Sequence, residues 1–95
     1  MSYSFTFTAA TREAAKEQVV SKMAAVVDQQ PLHAADAEQA KANAFAAIDL
    51  LPEDPGRDVS VSMNGYLSGT WDGGELVRLT GVNISVNVAL VARPV

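Results

Sequence analysis

The chain has no cysteine among its 95 residues. It can therefore form neither disulfides nor thiolate nucleophiles, and it cannot hold zinc or iron–sulfur clusters through cysteine. Basic residues are also few: 7 Lys and Arg stand against 11 Asp and Glu, and the formal net charge is −4. Because nucleic-acid binding relies on clustered Lys and Arg, and these are scattered, we expect no nucleic-acid partner.

Long apolar runs are missing as well. No stretch approaches the ~18 residues of a membrane span, and residues 1–7 lack the basic start and continuous apolar run of a secretory signal. We therefore expect a soluble, cytoplasmic protein with no membrane partner. The apolar fraction of 48% and the charged fraction of 19% lie in the globular range, and the length predicts a single domain over residues 1–95.

The N-terminal segment shows the period of a strand. Tyr3, Phe5 and Phe7 alternate with hydroxyl-bearing residues, which places three rings on one side of an extended segment. Thr8 or Thr11 is placed to cap a following helix, because a threonine hydroxyl can accept a hydrogen bond from a backbone N–H that has no partner within the helix. The sequence thus predicts a half-buried first strand that leads into a helix.

Two helical segments follow. Apolar residues recur at helical spacing over 15–27, and Pro31 marks the end of that pattern. The alanine-rich stretch 34–47 predicts a second helix, which the segment around Pro52 stops. Since the link between the helices is short, we expect an antiparallel helical hairpin.

The C-terminal half changes to a period of two. Apolar and polar residues alternate over 59–63, which predicts a strand. The Asn-Gly dipeptide at 64–65 is typical of a hairpin turn, yet Leu67 and Trp71 keep the phase of the strand. That phase favours one long strand, which turns at Asp72-Gly73-Gly74 because glycine tolerates positive φ.

The return strand carries a phase change. Val77 and Leu79 are apolar at odd positions, whereas from Val82 to Leu90 the even positions are apolar, and Gly81 lies at the switch. A β-bulge at Gly81 would restore one inward face. The fold class we predict is α+β: a two-layer sandwich of β-α-α-β-β order, with the helical hairpin on one face of a mainly antiparallel sheet of three or four strands.

His33 is the only histidine, and its unperturbed pKa suits proton transfer near neutral pH. It could act as a general base oriented by Asp36. The alternative is a structural residue near a helix cap, with Asp36 placed for the helix dipole. Because no converging catalytic partner can be identified, the sequence favours the structural role, and we assign no catalytic residue.

Two groups of carboxylates could bind a hard cation through oxygen. They are Glu53, Asp54 and Asp58 between the second helix and the long strand, and Asp72 with Glu75 beside the glycine turn. Neither group has the ligand spacing of a calcium loop. The pattern favours solvated loop charge, and we predict neither a metal site nor a cofactor.

The predicted outer face of the sheet is polar but uncharged, with no charge over 59–71 or over 79–92. Free sheets usually guard their edges with charges or proline, so neutral strands favour association with a second copy or with another protein. The alternative is a solvated face, rich in Ser and Asn, whose edges are covered by loops.

Beside the hairpin tip, the Trp71 ring either packs on the end of the sheet, which the sequence favours, or contacts a partner, as tryptophan often does at binding surfaces. Tyr66, on the polar side of the same strand, could lie next to any such contact. The candidate interaction surface comprises Ser62, Asn64, Tyr66, Trp71, Ser85 and Asn87.

A second hypothesis is a small-molecule site. Helix two is rich in small residues, which could leave space beneath the sheet. Such a pocket would be lined by Tyr3, Phe5, Phe7 and Trp71.

The chain resembles small uncharacterised proteins encoded by tailed bacteriophages and prophages. The resemblance lies in the alanine-rich helical pair around Pro31-Leu32-His33-Ala34-Ala35-Asp36 and the Ser/Val strand after Leu51-Pro52-Glu53-Asp54. It implies an accessory part of a virion or a small factor in the host cytoplasm. It carries no functional residue over to this chain.

Overall fold

The computed structural model describes residues 2–52 and 54–93 and has the predicted α+β architecture. Two helices pack on one face of a three-stranded antiparallel sheet in which the strand order is β1-β2-β3. The elements are β1 (Ser2–Ala9), α1 (Arg12–Gln29), a 3₁₀ turn (Pro31–His33), α2 (Ala34–Asp49), β2 (Arg57–Asp72) and β3 (Glu75–Ala92).

The helices begin where the sequence provides caps. The Thr11 hydroxyl accepts a hydrogen bond from the Ala14 N–H at 3.1 Å, so Thr11 rather than Thr8 is the N-cap of α1. A 3₁₀ turn beginning at Pro31 then leads directly into α2. The short link produces the predicted helical hairpin.

The long hairpin of β2 and β3 turns at the predicted glycines. Gly73 and Gly74 have φ values of 60° and 85°, the two positive values that a tight two-residue hairpin turn requires. The Asn-Gly dipeptide at 64–65 lies inside β2, where the strand continues without a turn. The prediction of one long strand is confirmed.

The predicted bulge beside Gly81 is also confirmed. Ser68 pairs with Gly81 and Gly69 with Leu79, which leaves Thr80 as an extra residue in β3. A second bulge was not predicted: Thr70 pairs with Arg78 and Trp71 with Leu76, so Val77 is extra and is 52% exposed. The second bulge turns Leu76, rather than Val77, toward the helices.

The core lies between the helices and the central strand. Its buried residues are supplied by α1 (Ala15, Val19, Met23), α2 (Ala37, Ala40, Ala44, Ile48) and β2 (Val59, Val61, Met63), with Ala9 at the end of β1. Alanines on α2 let that helix approach the sheet closely. The long hairpin makes the molecule elongated, with principal extents of 49 × 24 × 17 Å.

Candidate interaction surface

The sheet face opposite the helices carries mainly small polar side chains, with the Tyr66 ring and Ala89 among them. The strand register aligns them in four cross-strand rows, namely Ser2–Tyr66–Asn83, Ser4–Asn64–Ser85, Thr6–Ser62–Asn87 and Thr8–Ser60–Ala89. Hydroxyls bridge the first two strands: Ser4 donates to the Asn64 amide oxygen at 2.7 Å, and Thr6 donates to Ser62 at 3.1 Å. We call these twelve residues the polar face.

Five of the six predicted surface residues lie together on the polar face. They are Ser62, Asn64, Tyr66, Ser85 and Asn87. The Tyr66 ring is 59% exposed and borders a shallow groove of about 450 Å³, whose other walls include Asn64, Asn83 and Ser85. The face therefore offers one aromatic ring among neutral donors and acceptors.

Trp71 does not lie on the polar face. Positions 66 and 71 differ by an odd number, and alternate residues of a strand point to opposite sides. Trp71 pairs with buried Leu76 and lines a groove of about 700 Å³ with Pro31 and Leu32 of the helical turn. It is 47% exposed there, and this corrects the grouping of Trp71 with Tyr66 in one surface.

The outer side of β3 is a free sheet edge. The strand order β1-β2-β3 leaves no strand beyond β3 among residues 2–52 and 54–93, so every second residue turns its backbone N–H and C=O away from β2. This edge is 18 residues long, against 8 for the edge formed by β1. From Leu79 to Ala92 it carries neither charge nor proline. Sequence reasoning could not place this edge because it did not establish the strand order.

His33 is completely buried, at 0% exposure. Its Nε2 lies 3.2 Å from the Tyr3 hydroxyl, at hydrogen-bond distance, and its Nδ1 has no partner among the described residues. Burial lowers the pKa of His33 and outweighs the nearby Asp36 carboxylate, which raises it. Burial, followed by Asp36, raises the pKa of Tyr3. His33 ends the 3₁₀ turn that leads into α2, and its ring is closed off from solvent.

The Tyr3 ring explains the glycine at position 65. A Cβ placed on Gly65 would lie 2.3 Å from carbons of that ring, so the ring occupies the space that any other residue would need. The ring in turn places its hydroxyl beside His33. Tyr3, Gly65 and His33 thus form one packed unit on the helix side of the sheet.

The loop carboxylates are engaged with neighbouring groups. Asp54 accepts from the Gly56 N–H at 2.9 Å and lies 3.4 Å from Arg57, while Asp58 binds Arg93 at 2.8 Å. Glu53 lies outside the described residues. Within those residues, no three His, Asp or Glu side chains come close enough together to hold a metal ion.

The aromatic side chains of β1 pack in series against the core. The Tyr3 and Phe5 rings stack at 6.4 Å, those of Phe5 and Phe7 at 6.2 Å, and all three contact the buried cluster. Tyr3 lines the groove at Tyr66, and Trp71 lines the other groove, but Phe5 and Phe7 line neither, so the four side chains do not share one of these grooves. The geometry therefore gives the small-molecule hypothesis no specific support.

Comparisons with known proteins add no assignment. Family models, curated proteins and solved structures were all searched, and none matches the chain. Across residues 2–52 and 54–93, neither helix combines the length and apolar character needed to span a bilayer. The resemblance to phage-encoded proteins stays a prediction.

Proposed function

We propose that this chain is a non-enzymatic interaction protein that self-associates through the free edge of β3. The observation that carries the proposal is the length and chemistry of that edge. Edge strands of monomeric proteins are usually short, charged, interrupted by β-bulges or covered by another element. An open row of backbone N–H and C=O groups would otherwise pair with strands of other molecules. Over residues 81–92, β3 is long, regular and uncharged.

The side chains of β3 also favour an added strand. Ile84, Val86, Val88 and Leu90 point toward the helices but are only partly buried. A neighbouring strand would cover their free side, since side chains directly opposite each other in an antiparallel pair lie about 4.5–5.5 Å apart. Pairing would then bury apolar surface as well as satisfy the backbone.

A catalytic role has less support from the structure. The only imidazole of the chain is His33, which is enclosed beneath Tyr3, and the polar face carries no ionisable acid or base other than the Tyr66 phenol. An accessory part of a virion is one of the two roles that the resemblance to phage-encoded proteins implies. We accordingly extend the proposal to an accessory component that acts in a virion or in the host cytoplasm.

Light scattering coupled to size-exclusion chromatography, over a hundredfold range of protein concentration, tests self-association. We expect a defined oligomer that dissociates on dilution. Ser85→Lys places a charge on the edge strand and should shift the protein toward monomer. The matched control is Ser62→Lys, on the same face but on the central strand, which should leave the oligomer largely intact. A monomer at every concentration would overturn the proposal.

A further inference from the structure

We infer that the strand received by the β3 edge is β3 of a second copy, antiparallel, with the two Ser85 residues directly opposite each other. This inference rests on the proposed function and names its partner and register. It produces a six-stranded sheet in which the helices of both copies lie on one side and the two polar faces join on the other. The two-fold axis passes perpendicular to the sheet, between the two Ser85 residues.

The side chains of β3 are self-complementary in this register. Residues opposite each other across an antiparallel pair point to the same side of the sheet. On the helix side, Val82 meets Val88 of the second copy and Ile84 meets its Val86. On the outer side, Asn83 meets Asn87 and Ser85 meets Ser85. Apolar residues thus meet apolar residues, and amides meet amides.

The charges at the two ends of β3 select this register. The distance of each charge from Ser85 can be counted along the partner strand β2. Ser85 pairs with Asn64 and Glu75 with Asp72, so Glu75 lies eight paired positions (72 − 64) from Ser85, toward the Gly73-Gly74 turn. In the other direction, Ala92 pairs with Arg57, seven paired positions (64 − 57) from Ser85. The next residue, Arg93, therefore lies eight positions from Ser85, at the end of the hairpin away from the turn. A two-fold axis at Ser85 therefore places Glu75 opposite Arg93 of the second copy. Arg93 also binds Asp58 of its own chain. At each end of the dimer, one arginine would then lie between two carboxylates, that of its own Asp58 and that of Glu75 from the second copy.

Neighbouring registers lose this match. If the axis lay at Val86, whose partner in β2 is Met63, Arg78 would lie seven paired positions from it on one side, since its partner is Thr70. Arg93 would lie seven positions away on the other side. Arg78 of one copy would then face Arg93 of the other. Like charges directly opposite each other are destabilising. An axis at Ile84 would place Glu75 opposite the uncharged Val91. Of the three registers, the one centred on Ser85 alone forms ion pairs at both ends.

Exposed apolar residues at the two ends of the molecule support the same arrangement. Trp71 and Val77, at the hairpin tip, are 47% and 52% exposed, and Leu50, at the base end of α2, is 85% exposed. Antiparallel pairing brings the tip of one copy to the base end of the other. Each end of the dimer then contains Trp71 and Val77 of one copy and Leu50 of the other. In a single copy these residues lie at opposite ends of the molecule.

Single-cysteine variants test the register directly because the natural chain has no cysteine. Under mild oxidation, Ser85→Cys should form a disulfide-linked dimer, since opposite Cβ atoms lie within about 4.5–5.5 Å of each other. Asn83→Cys and Asn87→Cys should each remain uncrosslinked alone and should crosslink when mixed. Ser62→Cys, on the central strand, is the matched control and should not crosslink.

Two failures can be told apart. If the protein is a dimer but Ser85→Cys does not crosslink, or the mixed pair does not, the register is overturned while self-association stands. If every variant is monomeric and uncrosslinked, the inference and the proposed function both fail.

The ion pairs give a second test. In Glu75→Arg, the new arginine of one copy would lie opposite Arg93 of the other at each end of the dimer. Because like charges repel, we expect the dissociation constant of the dimer to rise about tenfold. Asp72→Arg changes the net charge equally at the neighbouring position of β2, which does not border the second copy, and should change the constant by less than about threefold. Equal effects of the two variants would overturn the predicted contact.

Discussion

The two faces of the sheet differ sharply although the same three strands form both. On the helix side, Val61, Met63 and Leu67 have no exposed surface, whereas on the outer side Tyr66 is 59% exposed among Ser and Asn side chains. The strand period of two separates these sets residue by residue. Buried apolar contact is therefore concentrated on the helix side, which leaves the outer face and the β3 edge free to interact.

The largest expected difference compares neighbouring residues on opposite faces. Met63→Ala leaves a cavity in the core and should cost about 2–5 kcal/mol of unfolding free energy. Ser62→Ala removes only an exposed contact with Thr6 and should change stability by less than about 0.5 kcal/mol. Urea unfolding at one fixed protein concentration measures both. Similar losses in the two variants would contradict the division between the faces.

A smaller effect is expected at the glycine on the helix side. Gly65→Ala places a methyl group 2.3 Å from the Tyr3 ring, and the rearrangement should cost about 1–3 kcal/mol. Adding Tyr3→Ala should remove much of that penalty, which a double-mutant cycle would show as coupling. Gly56→Ala, where the nearest atom is 3.4 Å away, is the control and should be nearly neutral. Without coupling, the ring is not what requires the glycine.

The smallest expected effect is the pH dependence from His33. Its pKa is lowered in the folded protein, so on acidification the unfolded chain, with a histidine pKa near 6.5, takes up the proton first. The His33 contribution is therefore fully present above about pH 6.5 and decreases as the pH falls toward the lowered folded pKa. Thermal unfolding between about pH 7.5 and 5 should show this loss, and His33→Gln should flatten it. An unchanged slope in that variant would exclude His33 as the source.

Local patterns predicted most of the secondary structure. The alternation in β1 and β2 and the Gly73-Gly74 turn depend on neighbouring residues alone, and the phase change predicted the bulge beside Gly81. The bulge at Val77 was missed because Leu76 and Val77 are adjacent apolar residues, and either could face inward. Strand alternation alone separates Tyr66 from Trp71, whereas the groove that Trp71 shares with Pro31 and Leu32 depends on where the helical turn packs.

The α+β class, the order of elements, the long strand and the neutral, polar character of its outer face can all be predicted from periodicity and turn chemistry within a few residues. The strand order, the free edge of β3, the burial of His33 and the reason for Gly65 are visible only in the folded chain. Those features depend on contacts between segments 30 to 60 residues apart, such as Tyr3 with His33 and Ser4 with Asn64, which no local pattern encodes.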